Sequence, residues 1–130
     1  MNRLEFNTLC TEIASKLEWQ IEPDKNPEQE SYDSGCYQAL LKYNDNVGLY
    51  INYGQYLVPT THIEISGFYP RDYRGQLDKP YDAQLPHCKI AISKGVDKIV
   101  KEIQSRFLPK YHELNDGIIE RNARALLQHT

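Results

Sequence analysis

Long apolar runs are missing from this chain of 130 residues. No stretch approaches the roughly 20 residues that a membrane-spanning helix needs. Nor does any N-terminal segment couple a basic start to an apolar run. A soluble, cytoplasmic protein without membrane contact is therefore expected. Cysteine is scarce: Cys10, Cys36 and Cys88 are odd in number and widely spaced. That pattern argues against a disulfide framework and for reduced thiols. Metal-ligand spacing is missing too. His87 and Cys88 are adjacent, but no Cys-x₂-Cys or His-x₃-His pair accompanies them, so no metal is expected. Glycine-rich phosphate loops are absent, and Ser66-Gly67 lacks the flanking glycine of a nucleophile elbow. No cofactor is expected, and a nucleotide would have to be held by side chains.

Basic charge is also in short supply. The net charge is −3, and it is unevenly spread: residues 1–88 carry 7 Lys/Arg against 13 Asp/Glu, residues 89–130 carry 8 against 5. Non-specific binding to a phosphate backbone needs a dense basic patch, so an acidic total argues against it. Only the basic C-terminal part leaves a local exception.

What is present reads as one α+β domain over residues 1–130. Asn2 with Glu5 forms a capping box, and Phe6, Leu9, Cys10, Ile13 and Leu17 recur at helical spacing. Trp19 and Ile21 switch to period two, and residues 23–34 follow as a polar loop or linker. Strands are expected at 37–43 and 48–53, joined by the turn residues Asn44, Asp45 and Asn46. Two more are expected at 61–68, with Ile63 and Ile65 inward, and at 88–93, with Ile90 and Ile92 inward. From Gly95 the period returns to 3.6, with Val96, Ile99, Val100, Ile103 and Phe107 on one stripe. Pro109 should kink this helix or stop and restart it. The expected architecture is an antiparallel sheet of about four to five strands. An N-terminal helix and a long kinked C-terminal helix, or two helices, pack on one face.

Residues 69–86 stand out against that frame. They form a connection too long for a hairpin, and structureless loops of such length are usually functional or disordered. Tyr69, Tyr73 and Tyr81 offer flat contact area, and Arg71 and Arg74 offer planar donors suited to carboxylate or phosphate. Asp72, Asp78 and Asp82 balance Arg71, Arg74 and Lys79, so the loop carries no net positive field. A charge-balanced, Tyr-rich surface suits a protein partner better than a polyanion. The expected function is a small non-enzymatic binding protein with Tyr69, Arg71, Tyr73 and Arg74 as its contact residues. One alternative is a nucleotide or single-stranded nucleic-acid binder using the same loop with help from Arg121 and Arg124. Another is a small enzyme using His62 and Glu64, which share a strand face as potential base and orienter.

The C-terminal half carries a strand Ile63-Glu-Ile-Ser-Gly-Phe-Tyr-Pro70, a second Lys89-Ile-Ala-Ile-Ser93, and a helix Ile99-Val-Lys-Glu-Ile-Gln-Ser-Arg-Phe-Leu-Pro-Lys-Tyr111. This succession resembles small uncharacterised proteins carried by bacteriophages and other mobile elements. The resemblance assigns no residue a role. It implies a chain that modulates a host system by binding a host protein, a nucleic acid or a signalling nucleotide.

Overall fold

Helix α1 (Arg3–Leu17) begins where the capping box predicts. The Asn2 side chain accepts from the Glu5 N–H, and the Glu5 carboxylate accepts from the Asn2 N–H. The helix ends at Glu18, whose φ of 62° is left-handed, a conformation that costs a non-glycine residue roughly 1–2 kcal/mol. Phe6, Cys10, Ile13 and Ala14 form its buried face. The computed structural model describes residues 1–24, 35–54 and 59–129, with residue 82 described by its backbone alone. Most of the loop expected at 23–34, and the tyrosines at 32 and 56, lie outside the described residues.

Five antiparallel strands follow in sequence order: β1 (Gln20–Glu22), β2 (Tyr37–Asn44), β3 (Val47–Tyr53), β4 (His62–Phe68) and β5 (His87–Ala91). Register places Ala39 opposite Ile51, Ile51 opposite Ile65, and Ile65 opposite Cys88, so one apolar row runs across four strands. Alternation sends these residues to the face that the helices cover, together with Tyr37, Leu41, Leu49 and Ile90. Each fully buried Leu or Ile among them contributes roughly 1.5–3 kcal/mol. The opposite face carries Leu40, Tyr50, Glu64, Ser66 and Lys89.

Strand β5 is shorter than expected. Ile92 enters a 3₁₀ turn, Ile92–Lys94, and is only half-buried. Its N–H still reaches the Thr61 carbonyl at 2.9 Å, but the chain then turns at Gly95, where φ is 85°. That positive φ is readily adopted by glycine.

The helical region runs unbroken from Val96 to His129 as α2 (Val96–Glu102), a π-helical segment (Ile103–Phe107) and α3 (Leu108–His129). Pro109 does not end it. The apolar face explains why a wide turn sits here. Ile99, Ile103, Phe107, Tyr111 and Asn115 are all buried and follow one another in steps of four. In a straight α-helix each such step drifts about 40° around the axis. A π turn takes up that drift and keeps the row on the sheet, and its wide bond, Leu108 N–H to the Ile103 carbonyl, falls just before the proline that has no N–H to give.

Candidate functional site

The 69–86 connection is tied down along much of its length. Its root is a buried polar knot. The Tyr111 hydroxyl donates to the Phe68 carbonyl at 2.6 Å and accepts from the Gly48 N–H at 2.9 Å. Its second lone pair takes the Asn115 amide at 3.2 Å, and that amide also reaches the Asn46 carbonyl at 2.8 Å. Helix α3 is thereby bonded to the β2–β3 turn and to the end of β4. Burial pushes the Tyr111 phenol well above its ordinary pKa, opposed by the hydrogen bond from Gly48.

Tyr69 belongs to this interior. It is 7% exposed, and its ring centroid lies 5.5 Å from that of Tyr111. Burial raises its pKa to about 12, and its hydroxyl has no hydrogen-bond partner among the described residues. Gly67 makes the space. A Cβ there would meet the Tyr69 hydroxyl at 2.7 Å and Tyr111 Cδ1 at 2.8 Å. Tyr69 therefore anchors the loop instead of presenting its ring at the surface.

Next comes a compact turn built on Asp72. Its Oδ1 accepts the backbone N–H of Arg74 at 2.8 Å and of Gln76 at 2.9 Å. Its Oδ2 takes the Arg74 guanidinium through Nε at 3.2 Å and Nη2 at 2.9 Å. The hydrogen bond from Gln76, then the Arg74 side chain, hold this carboxyl below the usual carboxylate range. Arg71 donates from Nη1 to the Gly75 carbonyl at 2.8 Å. Further along, Asp78 pairs with Arg121 of α3. Tyr73 stacks on His129 with centroids 4.5 Å apart.

Of the four residues expected to make contact, Tyr73 and Arg74 lie together at the surface, Arg71 is exposed but bonded to the turn, and Tyr69 is inside. Further exposed apolar side chains lie along the same loop and at the end of α3. Tyr81 is 85% exposed, Leu77 38%, and Leu126 and Leu127 at the end of α3 48% and 74%. Among the described residues, the other exposed large apolar side chains are Leu4 and Tyr43. A cleft of about 320 Å³ separates the start of the loop from α3, lined by Pro70, Tyr73, Ile119, Ala123 and Leu126 among others.

The other candidates are not assembled. His62 bonds through Nδ1 to the Thr61 hydroxyl at 2.8 Å, and no hydrogen bond joins His62 to Glu64 among the described residues. His87 and Cys88 face opposite sides of β5, one exposed and one buried. Arg121 is paired with Asp78, and Arg124 lies 3.7 Å from Glu120. No group of three His, Cys, Asp or Glu side chains among the described residues is placed to hold a metal ion. No helix among them is long and apolar enough to cross a membrane. Comparison with protein-family models, with curated proteins and with solved structures returned no match.

Proposed function

We propose that this is a non-enzymatic binding protein that docks a protein partner on the face formed by residues 73–81 and the last turns of α3. The carrying observation is that exposed Tyr73 and Leu126 line one cleft between the loop and α3, while exposed Leu77 and Tyr81 line a second concavity on the same loop and Leu127 is exposed beside Leu126. The loop that bears three of them is held in shape by Asp72, Tyr69 and the Asp78–Arg121 pair. Aromatic and aliphatic side chains on a pre-ordered loop give contact area with little entropy left to lose on binding. Arg74 and Arg121 already have carboxylate partners, which favours an apolar protein surface over a polyanion. The resemblance to mobile-element proteins fits a host protein as the partner. Free thiols at Cys10 and Cys88, both buried in the core, fit the reducing cytoplasm.

The test is a titration. A partner captured from host extract is purified and measured against Tyr73→Ser, Tyr81→Ser and, as the control on another face, Tyr43→Ser. Each loop variant should weaken binding roughly tenfold or more, the range of a central aromatic contact, and the control should leave it unchanged. Equal losses in all three, or none in the loop variants, would rule this face out.

A further inference from the structure

Strand β4 outruns β5. Their pairing stops at Ser66 opposite His87, so Gly67 and Phe68 have no β5 neighbour, and the chain returns to the sheet through Leu85 and Pro86. On the outer face this notch opens into a cleft of about 380 Å³ lined by Tyr50, Glu64, Ser66, Lys79, Pro86 and His87, among others. The register explains its shape. Tyr50, Ser66 and His87 form one row across three strands, so a small side chain makes the floor between two rings. Glu64 lies one row along on the same face.

The polar groups here are notable for what they do not bond. The Glu64 carboxylate makes no hydrogen bond or ion pair with a described residue. Ser66 Oγ accepts from the Asn52 amide at 3.2 Å, and Asn52 is itself fixed by Gln38 at 2.8 Å. The hydroxyl proton of Ser66 is left without an acceptor among the described residues. The Tyr50 hydroxyl and the His87 ring are likewise without hydrogen-bond partners among them. Groups that could pair elsewhere on a flat sheet instead converge on one concavity of ligand size.

We propose that this notch is a nucleotide site, taking a base either free or within a single strand. The base lies against Tyr50, whose ring centroid is 6.3 Å from that of Phe68, so the aromatic surface continues beyond one ring. Base–aromatic stacking contributes roughly 1–3 kcal/mol and is open to any base. Glu64 accepts from a ring N–H or exocyclic amine, and Ser66 and His87 face the opposite edge. Lys79 in the lining and Lys42, whose ammonium is 4.8 Å from the Phe68 centroid, supply positive charge for the phosphate. Glu64 thus has a role with His87 and Ser66, not with its strand neighbour His62.

Calorimetric titration of the full chain with AMP, CMP, GMP and UMP, and with short single strands of the same bases, tests this site. At least one mononucleotide should bind. Glu64→Gln and Tyr50→Leu should each weaken it about tenfold or more, as expected for a lost charged hydrogen bond or a lost stacking face. Ser66→Ala serves as a milder change if the Tyr50 variant folds poorly. Tyr73→Ser, on the proposed protein face, should leave nucleotide binding unchanged. A strand that binds far more tightly than its mononucleotide, with steep salt dependence, assigns the base to a single strand; equal affinities assign it to the free nucleotide. No binding of any nucleotide, binding indifferent to all three cleft variants, or equal binding of simple sugars overturns the proposal.

Discussion

Replacing Tyr111 with Phe removes one oxygen and tests the knot that roots the loop. In the native protein that oxygen satisfies the buried Gly48 N–H and the Phe68 carbonyl and takes an Asn115 amide bond. Without it, the Gly48 N–H is left buried and unpaired, which costs roughly 1–3 kcal/mol. The Phe68 carbonyl is only part-buried, so water recovers some of its loss. The Asn115 amide keeps the Asn46 carbonyl. A net destabilisation of about 2–3 kcal/mol follows, a large share of the roughly 5–15 kcal/mol that holds a typical domain together. In urea, with a slope of about 1–3 kcal/mol per molar, the midpoint should fall by about 0.7–3 M with the slope unchanged. Tyr69→Phe is the matched control, because the Tyr69 hydroxyl is buried without a partner among the described residues. Its removal should be neutral or stabilising. Two identical chemical changes on rings 5.5 Å apart should therefore differ in sign or nearly so. If Tyr111→Phe shifts the midpoint no more than Tyr69→Phe, the knot does not hold the loop.

Three further outcomes follow from the same geometry. Gly67→Ala forces a Cβ to within 3 Å of both Tyr69 and Tyr111 and should lower stability by about 1–3 kcal/mol in thermal melts; an unchanged melting temperature would contradict that packing. Burial raises the Cys88 thiol to about 11 and Cys10 higher still, while Cys36 is exposed. A thiol reagent should therefore label one cysteine quickly and the other two only on unfolding, and three fast reactions would show the core to be open. The Asp72 carboxyl is held low, chiefly by the Gln76 N–H. Its contribution to the turn is complete above the ordinary carboxylate value and is lost as pH falls through the depressed one. The Gln76 amide resonance should titrate with a midpoint below the usual carboxylate range, and a midpoint at the ordinary value would show that the turn does not bind the carboxylate.

Much of the frame is legible in the sequence because its signals are local. The Asn2/Glu5 box starts α1, and alternation through Ile63, Ile65 and Ile90 sets the buried face of the sheet. Pro109 marks where the helix changes geometry, since α3 restarts at Leu108 with the proline in its first turn. The four-residue steps from Ile99 to Asn115 were the sign that the helix must widen near it. Tyr69 was misplaced as a surface residue. Carrying the alternation past the strand end, through Ile63, Ile65 and Gly67, sends Tyr69 inward over the gap that Gly67 leaves. Leu126 and Leu127 gave no such sign. Whether a helix end projects beyond the core is decided by how the sheet and loop pack beside it. The cleft around Glu64 was hidden because His87 reaches it from another strand, through a register that one sequence does not display.

Hydrogen–deuterium exchange of the chain, free and saturated with its purified partner, tests the proposed docking face most directly. Slowed exchange should appear in residues 73–81 and 119–129 and leave the β2–β3 hairpin as it was. Protection centred on that hairpin, or on the outer face of the sheet, would contradict the assignment.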